Sequence, residues 1–193
     1  MPRLDSLMSG QVNISQLRAV LIDDLLGRKP VSLDWSAIQQ ELTGKRVLVT
    51  GAGGSIGSEL CRQIARLKPA HLILLDSSEF NLYSIEKELR KNFPRIEITR
   101  WLNDVVDQVA IERLFRQSRP EVVFHAAAYK HVPMLEDQVR EAAMNNILGT
   151  RSVAELADRF GCEAFVMIST DKAVNPANVM GTSKRAAEIF CQN

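Results

Sequence analysis

The chain has 193 residues, 46% of them apolar, which suffices for one main domain with a substantial core. Lysine plus arginine (24) nearly balance aspartate plus glutamate (23), so the chain lacks the broad positive field that nucleic-acid or anionic-membrane binding needs. No stretch approaches about 20 consecutive apolar residues, and the N-terminus lacks a signal-peptide layout. The sequence predicts a soluble, cytoplasmic protein with no membrane segment and no nucleic-acid partner.

The cysteines, Cys61, Cys162 and Cys191, are odd in number and far apart, with no CxxC pair. No histidine cluster at ligand spacing accompanies them. They therefore indicate a reduced interior, and we expect no metal site.

The N-terminal segment carries apolar residues at helical spacing from Ile14 to Leu26, and Gly27 and Pro30 follow as stop signals. DWSAIQQELTGK adds one or two helical turns. After it, short apolar runs alternate with amphipathic segments. We predict an N-terminal helical arm over residues 1–44 and a Rossmann-like domain over residues 45–193.

Five short apolar runs, each followed by a longer segment, give this domain its class. Strand and helix alternating in this way imply right-handed crossovers and a parallel sheet covered on both faces. The predicted class is α/β, a doubly wound parallel sheet. The runs are RVLVT (46–50), HLILLD (71–76), IEITRWL (96–102), VVFHAAA (122–128) and AFVMIST (164–170). The last segment, GTSKRAAEIFCQN, predicts a helix.

TGAGGSIG lies between the first strand and a helix that begins near Ser55. Gly51 permits a tight turn, Gly54 lets a pyrophosphate approach the backbone, and Gly57 lets helix and strand pack closely. Free N–H groups at the helix start, at Ser55 and Ile56, would hold the phosphates. The sequence predicts a dinucleotide site here, although a structural glycine turn would share the motif.

Acidic residues follow the second and third strands. Asp76 ends the second strand, where a carboxylate accepts from both ribose hydroxyls and repels a 2′-phosphate. Because no arginine follows it, NAD is predicted in preference to NADP. The alternative is a helix N-cap by Asp76 or Ser77. Asp104 and Val105, after the third strand, are predicted to meet the adenine edge.

With TGAGGSIG, LND, HAAAYKHVP, NNILGT and STDKAVNPANVMGTSK in this order, the chain resembles the extended short-chain dehydrogenase/reductase superfamily. More narrowly, it is similar to the CapD-type polysaccharide biosynthesis proteins, which are nucleotide-sugar 4,6-dehydratases acting on UDP-N-acetylglucosamine or close relatives. The resemblance runs from about Ile14 to the last residue. HAAAYKHVP and STDKAVNPANVMG are specific to that branch.

The resemblance implies roles for the loop after the fourth strand and for the helix beyond it. Small side chains at Ala126, Ala127 and Ala128 would line the cofactor. Lys130 would meet a substrate phosphate, unless it is a solvated loop charge. Asn146 would steady the active-site helix, unless it is a plain polar helix residue.

The resemblance also implies the chemistry of STDKAVNPANVMGTSK. A 4,6-dehydratase oxidises carbon 4, removes the carbon 5 proton, expels the carbon 6 hydroxyl as water and returns the hydride to carbon 6. Asp171 and Lys172 supply an acid and a base at the mouth of the fifth strand. Desolvation would shift both pKa values as these roles require, whereas their mutual attraction would oppose it.

The superfamily's YxxxK pair reads Met180 and Lys184 in this chain. By resemblance the lysine also holds the nicotinamide ribose. A thioether accepts no proton, so Met180 occupies the catalytic position without being a base. Ser169 or Thr170 would bind the carbon 4 oxygen, and the proton would pass to Asp171 or to water. The alternative is that Met180 is a core methionine on an amphipathic helix.

The resemblance also bears on what the chain contains. Active members continue into a C-terminal substrate lobe, and larger ones carry membrane helices upstream. We therefore expect a chain truncated before that lobe, with exposed apolar surface that favours a homo-oligomer and with little or no turnover on its own. The competing hypotheses are a dinucleotide-binding fragment or sensor module without turnover and, less favoured, an epimerase.

Overall fold

The structure is a computed structural model that describes residues 34–192. The predicted helix from Ile14 to Leu26 lies outside the described residues. From Ser36 onward the described residues form one compact unit. Ile38 and Leu42 of the helix before β1 pack into its core, and the domain boundary near Lys45 stays a prediction.

Strands and helices alternate along the described chain. The strands are β1 (Arg46–Thr50), β2 (His71–Asp76), β3 (Glu97–Leu102), β4 (Val122–His125) and β5 (Ala164–Met167). The helices are α1 (Trp35–Leu42), α2 (Ser55–Arg66), α3 (Glu79–Asn92), α4 (Gln108–Ser118), α5 (Val132–Asp137), α6 (Val139–Ala142), α7 (Thr150–Arg159) and α8 (Val179–Gln192). A π-helical segment, Ala143–Gly149, joins α6 to α7, and a short 3₁₀ turn spans Asp171–Ala173.

All strand pairs are parallel, and the order across the sheet is β3-β2-β1-β4-β5. The order reverses between β1 and β4, where Thr50 lies opposite His125. In such sheets the crevice for a ligand opens outside the carboxyl ends of the strands at this reversal. The predicted doubly wound α/β class is confirmed.

Two apolar layers cover the sheet because alternate strand residues point to opposite faces. Val47 and Val49 of β1 pack with α1, α2 and α3 on one face. Leu48 packs with α4 and α7 on the other. A third, smaller cluster joins Leu135, Ala142 and Met180 beside α8.

β4 and β5 end earlier than predicted. Beyond His125 the neighbouring strand β1 turns away at Gly51, whose φ of 64° is left-handed, so Ala127 donates to the Thr50 side chain instead of a strand carbonyl. β5 makes its last ladder bond from Ile168 N–H to the His125 carbonyl. The runs 122–128 and 164–170 therefore contain a strand followed by a loop at the ligand edge.

The structure also bears on the predictions for the cysteines, for membrane helices and for exposed apolar surface. The three cysteines are free thiols. No helix within residues 34–192 is long and apolar enough to cross a membrane. Val166 on β5 and Phe190 on α8 are exposed, but self-association stays a prediction.

Candidate active site

The glycine loop between β1 and α2 has the shape of a phosphate cradle. A Cβ on Gly51 would lie 2.7 Å from the Ala127 nitrogen, and one on Gly57 would overlap the Gly51 carbonyl oxygen. Gly54 precedes α2 and has no side chain to cap it, so the first N–H groups of the helix, including those of Ser55 and Ile56, stay available to an anion. The loop therefore fits a pyrophosphate.

Asp76 ends β2 beside this loop. Its Oδ2 accepts from the Gly53 N–H at 2.8 Å and its Oδ1 from the Ser78 N–H at 2.8 Å. The α3 N-cap is Ser78, whose Oγ accepts from Asn81 N–H, so the alternative of a cap by Asp76 or Ser77 is wrong. Each carboxylate oxygen keeps a further lone pair for a hydroxyl donor.

A first cavity of about 180 Å³ opens between β1, β2 and β4. It contains predicted residues from the glycine loop, the ends of β2 and β3 and the alanine run. It also brings in residues that sequence reasoning missed, mainly asparagines and Tyr129. The lining consists of Gly51, Gly54, Leu75, Asp76, Ser77, Asn81, Asn103, Asp104, Val105, Ala126, Ala127, Ala128, Tyr129 and Asn145.

A second cavity, of about 420 Å³, shares Gly54, Ala126, Ala128 and Tyr129 with the first. Its other walls come from the start of α2, the loop after β5 and α8. They are Ser55, Ile56, Gly57, Lys130, Ile168, Ser169, Thr170, Lys172, Met180 and Lys184. Two adjoining cavities with the phosphate cradle between them fit a dinucleotide, with one half beside Asp76 and the other beside Lys184.

A buried histidine that the sequence analysis missed connects the cradle to the π-helical segment. The Thr150 hydroxyl donates its one proton to the Asn146 carbonyl at 2.7 Å. The same hydroxyl therefore accepts the hydrogen bond from His125 Nε2, at 3.0 Å. Nδ1 of His125 then accepts from the Thr50 hydroxyl at 2.8 Å, and Thr50 Oγ1 accepts from Ala127 N–H. Burial, with a smaller effect from Lys184, lowers the pKa of His125 to about 3, which keeps the ring neutral.

Asn146, fully buried in the π-helical segment, uses its whole side-chain amide. Its Oδ1 accepts from Tyr129 N–H at 2.8 Å and from Asn145 Nδ2 at 3.0 Å. Its Nδ2 donates to the Tyr129 carbonyl and to Ser183 Oγ, both at 3.0 Å. Asn146 thus joins the loop after β4 to α8, and π-helical turns are frequent at functional sites.

Lys184 reaches the second cavity from α8 and is 4% exposed. Its Nζ donates to the Ile168 carbonyl at 2.6 Å. Burial lowers the pKa of Lys184, while the charge of Glu188 acts in the opposite direction. The hydrogen bond to Ile168 therefore fixes the position of the Lys184 amine at the wall of the second cavity.

Thr170, Asp171 and Lys172 follow β5. Thr170 and Lys172 line the second cavity, whereas Asp171 lies outside its lining. The Thr170 hydroxyl donates to Asp171 Oδ1 at 3.0 Å, and Lys172 Nζ lies 3.4 Å from the same oxygen. The hydrogen bond from Thr170 and the charge of Lys172 lower the pKa of Asp171. Both charged side chains are largely exposed, so they form a wetted ion pair.

Ser169 and Met180 have partners that the sequence analysis did not foresee. The Ser169 hydroxyl donates to Glu188 Oε1 at 2.5 Å, which leaves Thr170 as the hydroxyl linked to Asp171. Met180 is 4% exposed and packs against Leu135 and Ala142 while bordering the cavity. Lys130 is exposed at the same cavity. Across residues 34–192 no group of acidic, histidine or cysteine side chains is arranged to hold a metal ion.

The chain is similar in sequence to proteins of polysaccharide biosynthesis. Residues 47–193 match the model of a family described as polysaccharide biosynthesis protein. The chain is 50% identical over its whole length to the capsular polysaccharide biosynthesis protein CapD of Staphylococcus aureus, and covers 32% of that protein. It is 31% identical to a UDP-N-acetylglucosamine 4,6-dehydratase (inverting) of Campylobacter jejuni over 75% of this chain and 42% of the relative.

Among solved structures, Pen from Bacillus thuringiensis superposes with a TM-score of 0.71 at 28% identity, over 77% of this chain and 46% of that one. The chain thus spans between about a third and a half of the length of the relatives it matches. Because the family match extends from β1 to the last residue, the chain belongs to the polysaccharide biosynthesis protein family.

Proposed function

We propose that this chain is the cofactor-binding and catalytic half of an NAD-dependent nucleotide-sugar 4,6-dehydratase. The observation that carries the proposal is the second cavity, where Thr170, Lys172 and Lys184 face the end of the phosphate cradle. The likeness to the C. jejuni dehydratase supports the reaction class. A UDP-N-acetylglucosamine-type sugar is the proposed substrate.

Asp76 supports NAD as the cofactor. Its carboxylate borders the first cavity, and the next residues, Ser77, Ser78 and Glu79, supply no cation for a 2′-phosphate. Asp104 and Val105 border the same cavity and are proposed to contact adenine. When bound, the nicotinamide supplies reversible hydride acceptance, from carbon 4 of the sugar and back to carbon 6.

Thr170 and Asp171 are proposed to replace the missing tyrosine. The carbon 4 hydroxyl would give its proton to Thr170 Oγ1, and Thr170 would pass its own proton to Asp171 Oδ1 along the existing 3.0 Å bond. Asp171 would then be protonated, which is the form that an acid needs. It would give that proton to the carbon 6 hydroxyl, which leaves as water.

Lys172 is proposed as the base that takes the carbon 5 proton and later returns it. This role requires a neutral amine, so the ion pair with Asp171 has to separate when the sugar enters. Protonation of Asp171 removes its charge and weakens the attraction between the two side chains.

The remaining residues are proposed to position this group. Lys184 would hold the nicotinamide ribose and Lys130 a substrate phosphate. Asn146 would fix α8 against the loop after β4 through Ser183 and Tyr129. Met180 supports packing and contributes no proton transfer, which is consistent with its burial.

Substrate turnover separates this proposal from a dinucleotide-binding module without activity. The chain is incubated with NAD and UDP-N-acetylglucosamine, and the product is examined by mass spectrometry for loss of one water. Because the chain covers 32% of CapD, we expect little or no turnover with 193 residues, and the variants are therefore also tested in any longer product of the gene. Lys172→Ala and Thr170→Ala should abolish product, whereas Ser169→Ala should retain part of it. Product formation unaffected by Lys172→Ala would contradict the assigned base.

A further inference from the structure

α8 contacts the end of β5 at two points that lie one helical turn apart. Lys184 Nζ donates to the Ile168 carbonyl at 2.6 Å, and the Ser169 hydroxyl donates to Glu188 Oε1 at 2.5 Å. Residues four apart share one face of a helix. The two bonds therefore close a ring between consecutive residues of the strand end and one face of α8.

The carboxylate of Glu188 is ionised and held in place. Arg185 Nη1 donates to its second oxygen at 2.9 Å, and the side chain is 22% exposed. Hydrogen bonds from Ser169 and Arg185 lower the pKa of Glu188. This carboxylate belongs to neither the cofactor cradle nor the group at Thr170, Asp171 and Lys172.

Glu188 is also the negative charge that acts on Lys184. Burial lowers the pKa of Lys184, and the Glu188 charge raises it. Within residues 34–192, the other titratable groups that interact with Lys184 are His125 on β4, which burial keeps neutral, and Cys191 on α8, whose thiol pKa is raised by burial. Neither supplies a negative charge at neutral pH, and Lys172 at the same cavity is a cation.

We propose that Glu188 is a positioning residue for the active site. It holds the β5 end through Ser169, and its carboxylate lies one helical turn from Lys184 on the face of α8 that contacts that strand end. The strand end matters because the next two residues are Thr170 and Asp171. The inference rests on the proposed function for its catalytic meaning, but its physical content concerns the protein without substrate.

Two conservative variants separate the two effects. In Glu188→Gln the side-chain oxygen still accepts from Ser169 while the charge is lost. In Ser169→Ala the charge remains while the bond to the strand end is lost. Glu112→Gln is the matched control, because Glu112 lies on α4, accepts from an arginine on the same helix and is 33% exposed.

The experiment uses the whole chain and needs no turnover. NMR of ¹³C-lysine-labelled protein follows the Lys184 titration, assigned with Lys184→Arg, and hydrogen exchange follows the bonded amides of Ile168, Lys172 and Ala173. Glu188→Gln should lower the Lys184 midpoint by about half a pH unit or more. Ser169→Ala should speed exchange about fivefold, the change expected for one lost hydrogen bond.

Each half of the proposal has its own contrary result. A Lys184 midpoint in Glu188→Gln equal to that in Glu112→Gln would overturn the electrostatic role. Exchange in Ser169→Ala equal to wild type would overturn the mechanical role. Absence of dehydration in a longer product of the gene, with both effects present in this chain, would instead contradict the proposed function alone.

Discussion

Acidification from pH 7 to pH 5 should destabilise the fold through His125. The pKa of this buried ring is about 3, compared with about 6.5 in an unfolded chain. Because the folded pKa is the lower one, the unfolded state binds more protons in this range and the free energy of unfolding falls as pH falls. Protonation would also force a second donor on Nδ1 against the Thr50 hydroxyl.

The expected loss follows from these two pKa values. Between pH 7 and pH 5 it amounts to about 2 kcal/mol, and it approaches about 5 kcal/mol below pH 3. Burial also lowers the pKa of His71, which adds a contribution of the same sign. Carboxylates with lowered pKa values, such as Glu86 and Glu188, keep their contribution above the unfolded glutamate pKa of about 4.3 and lose it as pH falls towards their lower folded values. The window from pH 5 to pH 7 therefore isolates the histidines.

Urea unfolding followed by tryptophan fluorescence at pH 5, 6 and 7 measures the loss. His125→Gln retains a donor and an acceptor but does not titrate, so its loss between pH 7 and pH 5 should be smaller than in wild type. The exposed His131 provides the control, and His131→Gln should behave as wild type. Equal pH dependence in wild type and His125→Gln would refute the assignment of a neutral, buried imidazole.

Three further substitutions test the site. Gly57→Ala should abolish NAD binding in calorimetry and lower the urea midpoint, because its Cβ would overlap the Gly51 carbonyl oxygen; unchanged affinity would contradict the cradle geometry. Asp76→Asn should narrow the ratio of NADP to NAD dissociation constants by on the order of tenfold, since the charge that repels a 2′-phosphate is lost; an unchanged ratio would remove Asp76 from cofactor choice. Met180→Leu should cost less than about 1.5 kcal/mol in urea unfolding and keep turnover, because the swap conserves volume in a packed cluster; loss of activity in a folded variant would assign Met180 a chemical role.

The fold was predictable because its strands are continuous apolar runs. RVLVT and HLILLD have the bounds observed for β1 and β2, since burial on both faces requires apolar residues at every position. The ends of β4 and β5 were not predictable in this way. In sequence, the alanines after His125 and Ser169 and Thr170 after Ile168 look like a continuation of the strands. In the structure, β1 turns away at Gly51, so β4 has no neighbouring strand beyond His125 and its hydrogen-bond ladder ends there.

Within the site, the glycine loop and the acid at the end of β2 carried the strongest sequence signals. Neighbouring residues of an extended segment point to opposite sides. This alternation would have predicted that Ser169 and Thr170 have different partners. The pairing of Ser169 with Glu188 depends on how α8 packs, and no local pattern encodes that. The π-helical turn at Asn146 was also hidden, because AMNNILG has the composition of an ordinary helix.

The most direct test of the account is the fate of the hydrogen on carbon 4 of the sugar. UDP-N-acetylglucosamine carrying deuterium at carbon 4 is incubated with NAD and the chain, and with any longer product of its gene, and the product is examined by NMR and mass spectrometry. A 4,6-dehydratase should yield a 4-keto-6-deoxy sugar with the deuterium on carbon 6 and one water lost. Deuterium retained on carbon 4 of an epimerised sugar would contradict the account and identify an epimerase.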